Sequence, residues 1–351
     1  MIQYSYIKHQ LAFNFDAKTS RGEIKKHDAY IIIAKDAFKK VIGIGEASPL
    51  AGLSIDSTPD FEMKLDQILN HLNEGIAIDE ELELNPSIQF ALESIQLDIK
   101  FGSIRKYFDS TWLKGESIKI NGLVWMNRID EMLNEAISKF RAGFDCIKFK
   151  IGALDFDEEC NLLEKFRKVA SESKVQIRVD ANGAFHVQDA LLKLNELKRF
   201  QIHSIEQPIK PNLWDEMQEL IAKSPIKIAL DEELIGLNPF ESGKSLMEYL
   251  NPDYLILKPT LIGGLKVADE WIKLAQIYDK DWWATSALES NIGLNIIAQW
   301  SSSKNPKLHQ GLGTGSLYSN NFPAPFKVEK GFLSYISDEN WKFPQDWNLS
   351  I

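Results

Sequence analysis

The sequence predicts an α/β protein in which a barrel of alternating strands and helices follows a smaller α+β region. The first observation is rhythm, because short apolar runs alternate with helix-like segments after about residue 117. The second is that charged residues stand where several of these apolar runs end. The third is length, since 351 residues exceed one ordinary small domain and suggest two.

The N-terminal region shows the patterns of both strands and helices. Its strand-like runs are 1–15, 29–35 and 41–46, and its helix-like runs are 60–73 and 86–101. The strand-like runs are rich in apolar and β-branched residues, which favour extended structure. The helix-like runs repeat apolar residues at the spacing of one helix face. We therefore predict a mixed α+β unit over about the first 115 residues.

The rest of the chain repeats a strand followed by a helix. The predicted strands are 119–124, 146–151, 175–180, 202–206, 226–231, 253–258, 282–287 and 307–312. The predicted helices between them are 157–171, 187–199, 213–222, 265–278 and 294–300. Eight such repeats fit a closed parallel barrel of about 200 residues. An open doubly wound sheet is the alternative, but no glycine-rich nucleotide turn follows the first strand.

Composition excludes several classes of protein. The net charge of −10 argues against a nucleic-acid surface, which needs clustered Lys and Arg. No apolar run is long enough to span a bilayer, and the first residues do not read as a signal peptide. The two cysteines, Cys146 and Cys160, match no metal-binding spacing and are expected to be reduced thiols. We expect a cytoplasmic protein that binds neither nucleic acid nor membrane.

Five charged residues stand at the ends of consecutive predicted strands. They are Lys150, Asp180, Glu206, Asp231 and Lys258. Each is about one strand–helix repeat from the next, so all five would meet at one mouth of the barrel. Active sites in such barrels lie at this carboxyl-terminal end of the strands.

The three acids of this set predict a metal site. Buried carboxylates that converge would repel one another unless a cation lay among them. Asp180, Glu206 and Asp231 offer only oxygen ligands, which favours Mg²⁺ over zinc or copper. A single Asp after a strand also often caps the next helix, and for Asp180 this alternative remains open.

The lysines predict proton transfer. Lys148 and Lys150 are two residues apart on one strand, so both side chains point to the same side. Each makes it harder to charge the other, and a nearby cation adds to this effect, so the pKa of a lysine here is lowered. A lysine with a lowered pKa can act as a general base. Lys258 approaches from the opposite side of the mouth.

Six short motifs together resemble the enolase superfamily, and within it the muconate-lactonizing subgroup. They are KFK at 148–150, VDANG at 179–183, IEQP at 205–208, LDEE at 230–233, LKP at 257–259 and ESNIGL at 289–294. Their order and spacing match across about residues 145–315. The resemblance implies a TIM-like (β/α)7β barrel over 116–319. It also implies an N-terminal α+β capping domain over 1–115, joined by the C-terminal segment 320–351.

The resemblance also implies a role for each residue of the site. Asp180, Glu206 and Asp231 resemble the ligands of Mg²⁺, for which Mn²⁺ can substitute. Lys150 resembles the acid/base on one face of the substrate and Lys258 the lysine on the other face. The remaining implied roles are those of Lys148, which would tune the base, and of Asn182 and Glu232, which would orient ligands and lysines.

The expected substrate is a small-molecule carboxylate. Dipeptide epimerases of the subgroup carry two acids after the eighth strand, whereas HQGLGTGSLY at 309–318 contains none. Backbone N–H groups near Gly313 and Thr314 would instead suit an anion. Ser290, Asn291 and Arg178 are further candidates for contact with the substrate charge.

The resemblance therefore favours a dehydratase that converts a hydroxycyclohexadiene carboxylate into an aromatic carboxylate. A racemase or epimerase of N-acylated amino acids or dipeptides is the alternative, and a barrel without catalysis is a third hypothesis. The loop at 45–54 resembles that of the dehydratases, and Pro49, Leu50 and Leu53 would supply apolar walls. The oligomeric state does not follow from the sequence.

Overall fold

The computed structural model describes residues 2–19 and 22–344. Its described strands form a three-stranded antiparallel sheet, a seven-stranded parallel sheet and a second three-stranded sheet. The expectation that the C-terminal segment joins the cap extends to residue 351, and its part at 345–351 lies outside the described residues. No helix of the described part of the chain is long and apolar enough to cross a membrane.

The N-terminal sheet and the helices that cover it form the cap. Its elements are strands β1 (Gln3–Thr19), β2 (Gly22–Lys35) and β3 (Val41–Ala47), and helices α1 (Phe61–Glu74), α2 (Asp79–Glu83) and α3 (Pro86–Lys100). The strands pair in chain order. One face of the sheet buries Ile32 against Leu65 of α1 and Ile95 of α3. The predicted α+β pattern is confirmed, while the short α2 was not predicted.

The parallel sheet contains seven strands that neighbour each other in chain order. They are β5 (Gly122–Val124), β6 (Cys146–Lys150), β7 (Gln176–Asp180), β8 (Ile202–Glu206), β9 (Lys227–Leu230), β10 (Tyr254–Leu257) and β11 (Asp281–Ala284). The helices that follow them are α4 (Ile129–Arg141), α5 (Phe156–Val169), α6 (Val187–Leu197), α7 (Trp214–Lys223), α8 (Lys244–Leu250), α9 (Pro259–Ile262), α10 (Leu265–Ile277) and α11 (Asn291–Ser303). This alternation of strands and helices is the predicted one, although α4, α8 and α9 were not among the helices predicted from the sequence.

A short segment connects the two edges of the parallel sheet. Gln310 forms a parallel bridge with Ile120, just before β5, and Gly311 forms one with Thr285, just after β11. The predicted strand at 307–312 is therefore reduced to single bridges. Gln310 and Gly311 each form one bridge to an edge of the parallel sheet, so the segment is too short to count as a strand.

The predicted strand at 119–124 was also wrong in its extent. The structure divides it into β4 (Ile118–Lys119) and β5, with Ile120 and Asn121 between them. β4 pairs with the C-terminal hairpin of β12 (Phe326–Glu329) and β13 (Phe332–Tyr335), so it leaves the parallel sheet. A partner more than 200 residues away cannot be recognised from local periodicity.

The cap sheet and helix α3 lie in direct backbone contact at Gly45. A Cβ atom built on this residue would lie 2.1 Å from the carbonyl oxygen of Ala91. That distance is far shorter than any van der Waals contact, and the obstacle is backbone, which cannot rotate away. Glycine is therefore required here by packing, with no demand on φ.

We expect Gly45→Ala to lower the free energy of unfolding by about 1–3 kcal/mol or more, because the extra methyl group overpacks this contact. Thermal or urea unfolding measures the effect. Gly313→Ala is the matched control, since its Cβ would have no heavy atom closer than 3.6 Å. Equal stability of the two variants would contradict this account of the cap.

Candidate active site

Parallel pairing brings the predicted charged residues together. Lys150, Asp180 and Glu206 are neighbours in register at the ends of β6, β7 and β8. Asp231 and Lys258 directly follow β9 and β10. All five side chains are buried. Together with Lys148, they place six charged side chains in one small volume. Buried charges of this kind are stable only if they are paired.

Each of the three carboxylates binds at least one lysine. Lys148 Nζ donates to Asp180 Oδ2 at 3.0 Å and to Glu206 Oε2 at 2.9 Å. Lys150 Nζ donates to the same Asp180 oxygen at 2.6 Å. Lys258 Nζ donates to Asp231 and lies 3.8 Å from Glu206 Oε1. The three acids and three lysines thus form one continuous network.

The network treats its two neighbouring lysines differently. Burial would lower the pKa of Lys148, but Asp180 and Glu206 outweigh it and hold that pKa above its ordinary value. Burial lowers the pKa of Lys150, and the charge of Lys148 adds to this effect. Lys148 is thereby kept as an ammonium, while Lys150 gives up its proton more readily. This is the difference that a general base needs.

The acids differ as well. Burial would raise the pKa of Asp180, but the three lysines hold it well below its usual range. Burial raises the pKa of Asp231, and the neighbouring carboxylates of Glu232 and Glu206 raise it further. Lys258 opposes both effects, and a further cation bound at Asp231 would also favour its carboxylate form.

No three His, Cys, Asp or Glu side chains are arranged as a metal site within residues 2–19 and 22–344. The physical reason is visible in the network, because lysine ammonium groups lie against the carboxylate oxygens. The donor set nevertheless fits Mg²⁺, since it consists of buried carboxylates on three consecutive strands. Binding requires that the ammonium groups withdraw from these oxygens.

A cavity of about 890 Å³ opens above the network. Lys148, Lys150 and Lys258 line it from the barrel side. The cap contributes the turn at 50–53, of which Leu50 and Leu53 were predicted as apolar walls. The volume lies within the range of sites for small organic molecules. Pro49, also predicted, is not on the cavity wall.

Asn182 and Glu232, which were predicted to orient ligands and lysines, are connected to Lys150 by hydrogen bonds. Asn182 Oδ1 accepts a hydrogen bond from Lys150 Nζ at 2.8 Å, and Asn182 Nδ2 donates to Glu232 Oε1 at 2.9 Å. This chain fixes the direction in which the Lys150 side chain points. Such an arrangement is what orienting residues provide.

Of the residues expected to contact substrate charge, two line the cavity and three do not. Gly313 and Thr314 form part of the wall, and Thr314 donates to Ser286 at 2.8 Å. Ser290 is fully buried, caps α11 and donates to Glu46, a residue of the cap. The placement of Ser290 away from the cavity follows from this capping role.

Asn291 and Arg178 are likewise occupied elsewhere. Asn291 Nδ2 donates to the carbonyl of Phe322 at 2.7 Å. Arg178 is buried below the charged network, where its guanidinium lies 3.8 Å from the ring centre of Trp283 and donates to His309 O. Arg178 shares a strand face with Asp180, as the sequence indicated, but it lies deeper in the barrel.

Sequence reasoning missed several residues of the cavity wall. Phe15, Lys26, Asn121 and Trp125 line it, and none belongs to a motif. Trp125 directly follows β5, so its position at a strand end was the available signal. Phe15 and Lys26 come from the long β1–β2 hairpin, whose reach over the barrel has no signature in local sequence.

Comparisons with known proteins identify the family of this chain. Residues 131–338 match the family described as Enolase C-terminal domain-like. Over 95% of its length, the chain is 38% identical to o-succinylbenzoate synthase from Desulfotalea psychrophila, of which 98% is covered. The crystal structure of MenC from this organism superimposes with a TM-score of 0.83 and 36% identity, covering 95% of this chain and 99% of that chain.

A more distant structure shares the fold. Dipeptide epimerase from Enterococcus faecalis, solved with Mg and the dipeptide L-Leu-L-Tyr, has a TM-score of 0.82 at 18% identity. The alignment covers 95% of this chain and 96% of that one. Both the family match and the nearly full-length similarity support the resemblance found in the sequence motifs. The chain belongs to the Enolase C-terminal domain-like family and thus to the enolase superfamily.

Proposed function

We propose that this protein is an o-succinylbenzoate synthase, a hydro-lyase of menaquinone biosynthesis. The reaction removes water from 2-succinyl-6-hydroxy-2,4-cyclohexadiene-1-carboxylate and yields 2-succinylbenzoate. The observation that most strongly supports this proposal is the 38% identity to a synthase of this activity over nearly the whole length of both chains. The lysines and carboxylates at the barrel mouth supply groups that such a reaction needs.

The proposed architecture is a (β/α)7β barrel over 116–319 with a capping domain over 1–115. The bridges that join 310–311 to both edges of the parallel sheet support closure of the barrel. The C-terminal segment contacts both parts, since Asn320 bonds to β1 while β13 pairs with β4. We place the enzyme in the cytoplasm, in keeping with its free cysteines.

Asp180, Glu206 and Asp231 would hold Mg²⁺, and the metal, when bound, stabilises the negative charge that develops on the substrate carboxylate. Proton removal is assigned to Lys150, because its pKa is lowered and Asn182 directs its Nζ. The proton taken from the carbon next to the carboxylate then resides on Lys150 Nζ. From there it passes to the departing hydroxyl on the same face, so one residue serves both halves of the dehydration.

The other two lysines act as fixed positive charges. Lys148 is protonated, because the charges of Asp180 and Glu206 raise its pKa, and its own charge lowers the pKa of Lys150. Lys258 lies on the other side of the cavity, and its pKa is raised because Asp231 and Glu206 outweigh the effect of burial. An ammonium there stabilises an anionic ring without transferring a proton.

The part of the cavity wall that follows α11 favours an anionic substrate over a cationic one. The cavity residues of the segment 311–317 are Gly311, Gly313, Thr314, Ser316 and Leu317, and none of them is an acid. An epimerase acting on a free dipeptide needs a negative partner for the substrate ammonium. The segment 311–317 offers none, and the glutamates that line the cavity, Glu131 and Glu135, lie on α4. The absence of an acid in this segment supports the dehydratase over the epimerase.

We expect purified protein with Mg²⁺ to convert the hydroxycyclohexadiene carboxylate, seen as loss of the diene absorbance. A chelator should abolish turnover, and added Mg²⁺ should restore it. Lys150→Ala should lower kcat by about 10²–10⁴-fold, because the general base is lost. Lys223→Ala, which removes an exposed lysine of α7, is the control and should behave like wild type. No turnover by folded, Mg²⁺-loaded protein would refute the proposal.

Lys258→Ala separates the dehydratase from the racemase or epimerase alternative. In the dehydratase, loss of this ammonium should slow turnover without any stereochemical preference, since it transfers no proton. In a two-base epimerase, the same variant would lose exchange of the α-proton of only one enantiomer. The measurement is proton exchange into N-acylamino acids and dipeptides in deuterated water, followed by NMR. Selective loss for one enantiomer would favour the epimerase.

A further inference from the structure

A buried glutamate of the cap binds the barrel directly beside the cavity. Glu46 lies on β3 and is fully buried. Its Oε1 accepts hydrogen bonds from Ser48 Oγ at 2.5 Å and from the backbone N–H of Ser290 at 2.8 Å. Its Oε2 accepts from Ser290 Oγ at 2.5 Å and from the backbone N–H of Gly293 at 2.8 Å. Three of these four donors belong to the barrel.

These contacts complete the N-terminus of α11. The first N–H groups of a helix have no partner within the helix. Here Asn321 accepts from the N–H of Asn291, Ser290 Oγ accepts from Ile292, and Glu46 accepts from Gly293. In a capping box the glutamate comes from the helix itself. Here it comes from the cap, 244 residues earlier in the chain than Ser290.

The close approach of the two parts depends on a glycine. A Cβ atom on Gly293 would lie 2.7 Å from the Cβ of Glu289 and 3.2 Å from Glu46 Oε2. Any side chain at this position would therefore displace the carboxylate or the loop before the helix. The backbone is shaped to accept Glu46, which makes this a built contact between cap and barrel.

Both sides of the contact continue into walls of the cavity. On the cap side, Glu46 is followed by the turn at 50–53, all four residues of which line the cavity. A local hydrogen bond stabilises this turn, because Leu50 N donates to Ser54 Oγ at 2.7 Å. On the barrel side, the loop at 285–288 precedes Ser290 and also lines the cavity.

The barrel loop is rigid in the same way. Glu289 is fully buried and accepts hydrogen bonds from the hydroxyls of Ser286 and Thr260 and from the backbone N–H of Ala287 at 2.8 Å. A displacement at Ser290 would therefore carry the whole loop with it. The position of one wall relative to the other is set where Glu46 meets the helix.

We propose that Glu46 is a positioning residue for substrate binding, which fixes the width of the cavity between the turn at 50–53 and the loop at 285–288. This inference rests on the proposed function, because it concerns the affinity of that same site for its carboxylate substrate. Glu46 touches none of the reacting groups, so its effect belongs to binding of the substrate and leaves the proton transfer by Lys150 intact.

The test is Glu46→Gln, which keeps the size of the side chain but replaces one acceptor oxygen with an NH2 group. That group faces an N–H donor of the barrel, so the contact is lost on one side. We expect KM for the hydroxycyclohexadiene carboxylate to rise by roughly tenfold or more, with kcat changed by less than about threefold. A merely structural role would lower the fraction of active enzyme, reducing kcat and leaving KM unchanged.

The matched control is Asp98→Asn, which alters another fully buried carboxylate of the cap. Asp98 accepts from the backbone N–H groups of Ile44 and Arg105 and from the Arg105 guanidinium, and it does not line the cavity. Its KM should stay within about twofold of wild type. If Glu46→Gln does not fold, Ser290→Ala removes one hydrogen bond to the same carboxylate, together with the cap on the Ile292 N–H, and should raise KM in the same direction.

An unchanged KM in folded Glu46→Gln, or in Ser290→Ala where that variant is needed, would overturn the inference. An equal rise in KM for Asp98→Asn would also overturn it, because the effect would then belong to the cap in general. Failure of the proposed function looks different, since the wild-type enzyme itself would then show no turnover of this substrate.

Discussion

The pairing of three lysines with three carboxylates at the barrel mouth is the constraint on which the rest of the structure depends. Buried charges without partners would cost several kcal/mol each, so the network must be complete or the barrel would not close around it. Parallel strands satisfy this need because one residue from each strand end reaches the same place. The pairing also sets the contrast between Lys148, held as an ammonium, and Lys150, whose pKa burial lowers.

Chemistry and specificity are divided between the two parts of the chain. The barrel contributes the charged groups, and the cap contributes the turn at 50–53 and the β1–β2 hairpin that enclose them. The cap must therefore be held in one position. Gly45 allows β3 to lie directly on α3, and Glu46 next to it binds the start of α11. Gly45 thus allows close packing within the cap, and its neighbour Glu46 holds the cap against the barrel.

Most of the charged site could be predicted from the sequence, because the barrel converts a regular spacing into a shared location. Asp180, Glu206 and Lys258 lie where that spacing placed them. The contact of Ser290 with Glu46 could not be predicted in this way, because the two residues are distant in the chain and local sequence does not reveal their pairing. The strand at 119–124 was predicted as continuous for the same reason, because its division depends on pairing with β13.

We propose that the strand-end carboxylates exchange their lysine partners for Mg²⁺. Calorimetric titration of Mg²⁺ into wild-type protein and into Asp231→Asn tests it most directly, with Asp109→Asn as an exposed control. We expect one Mg²⁺ per chain, with affinity lowered at least about tenfold in Asp231→Asn and unchanged in the control. Absence of Mg²⁺ binding to wild-type protein, or equal affinity in Asp231→Asn, would contradict it.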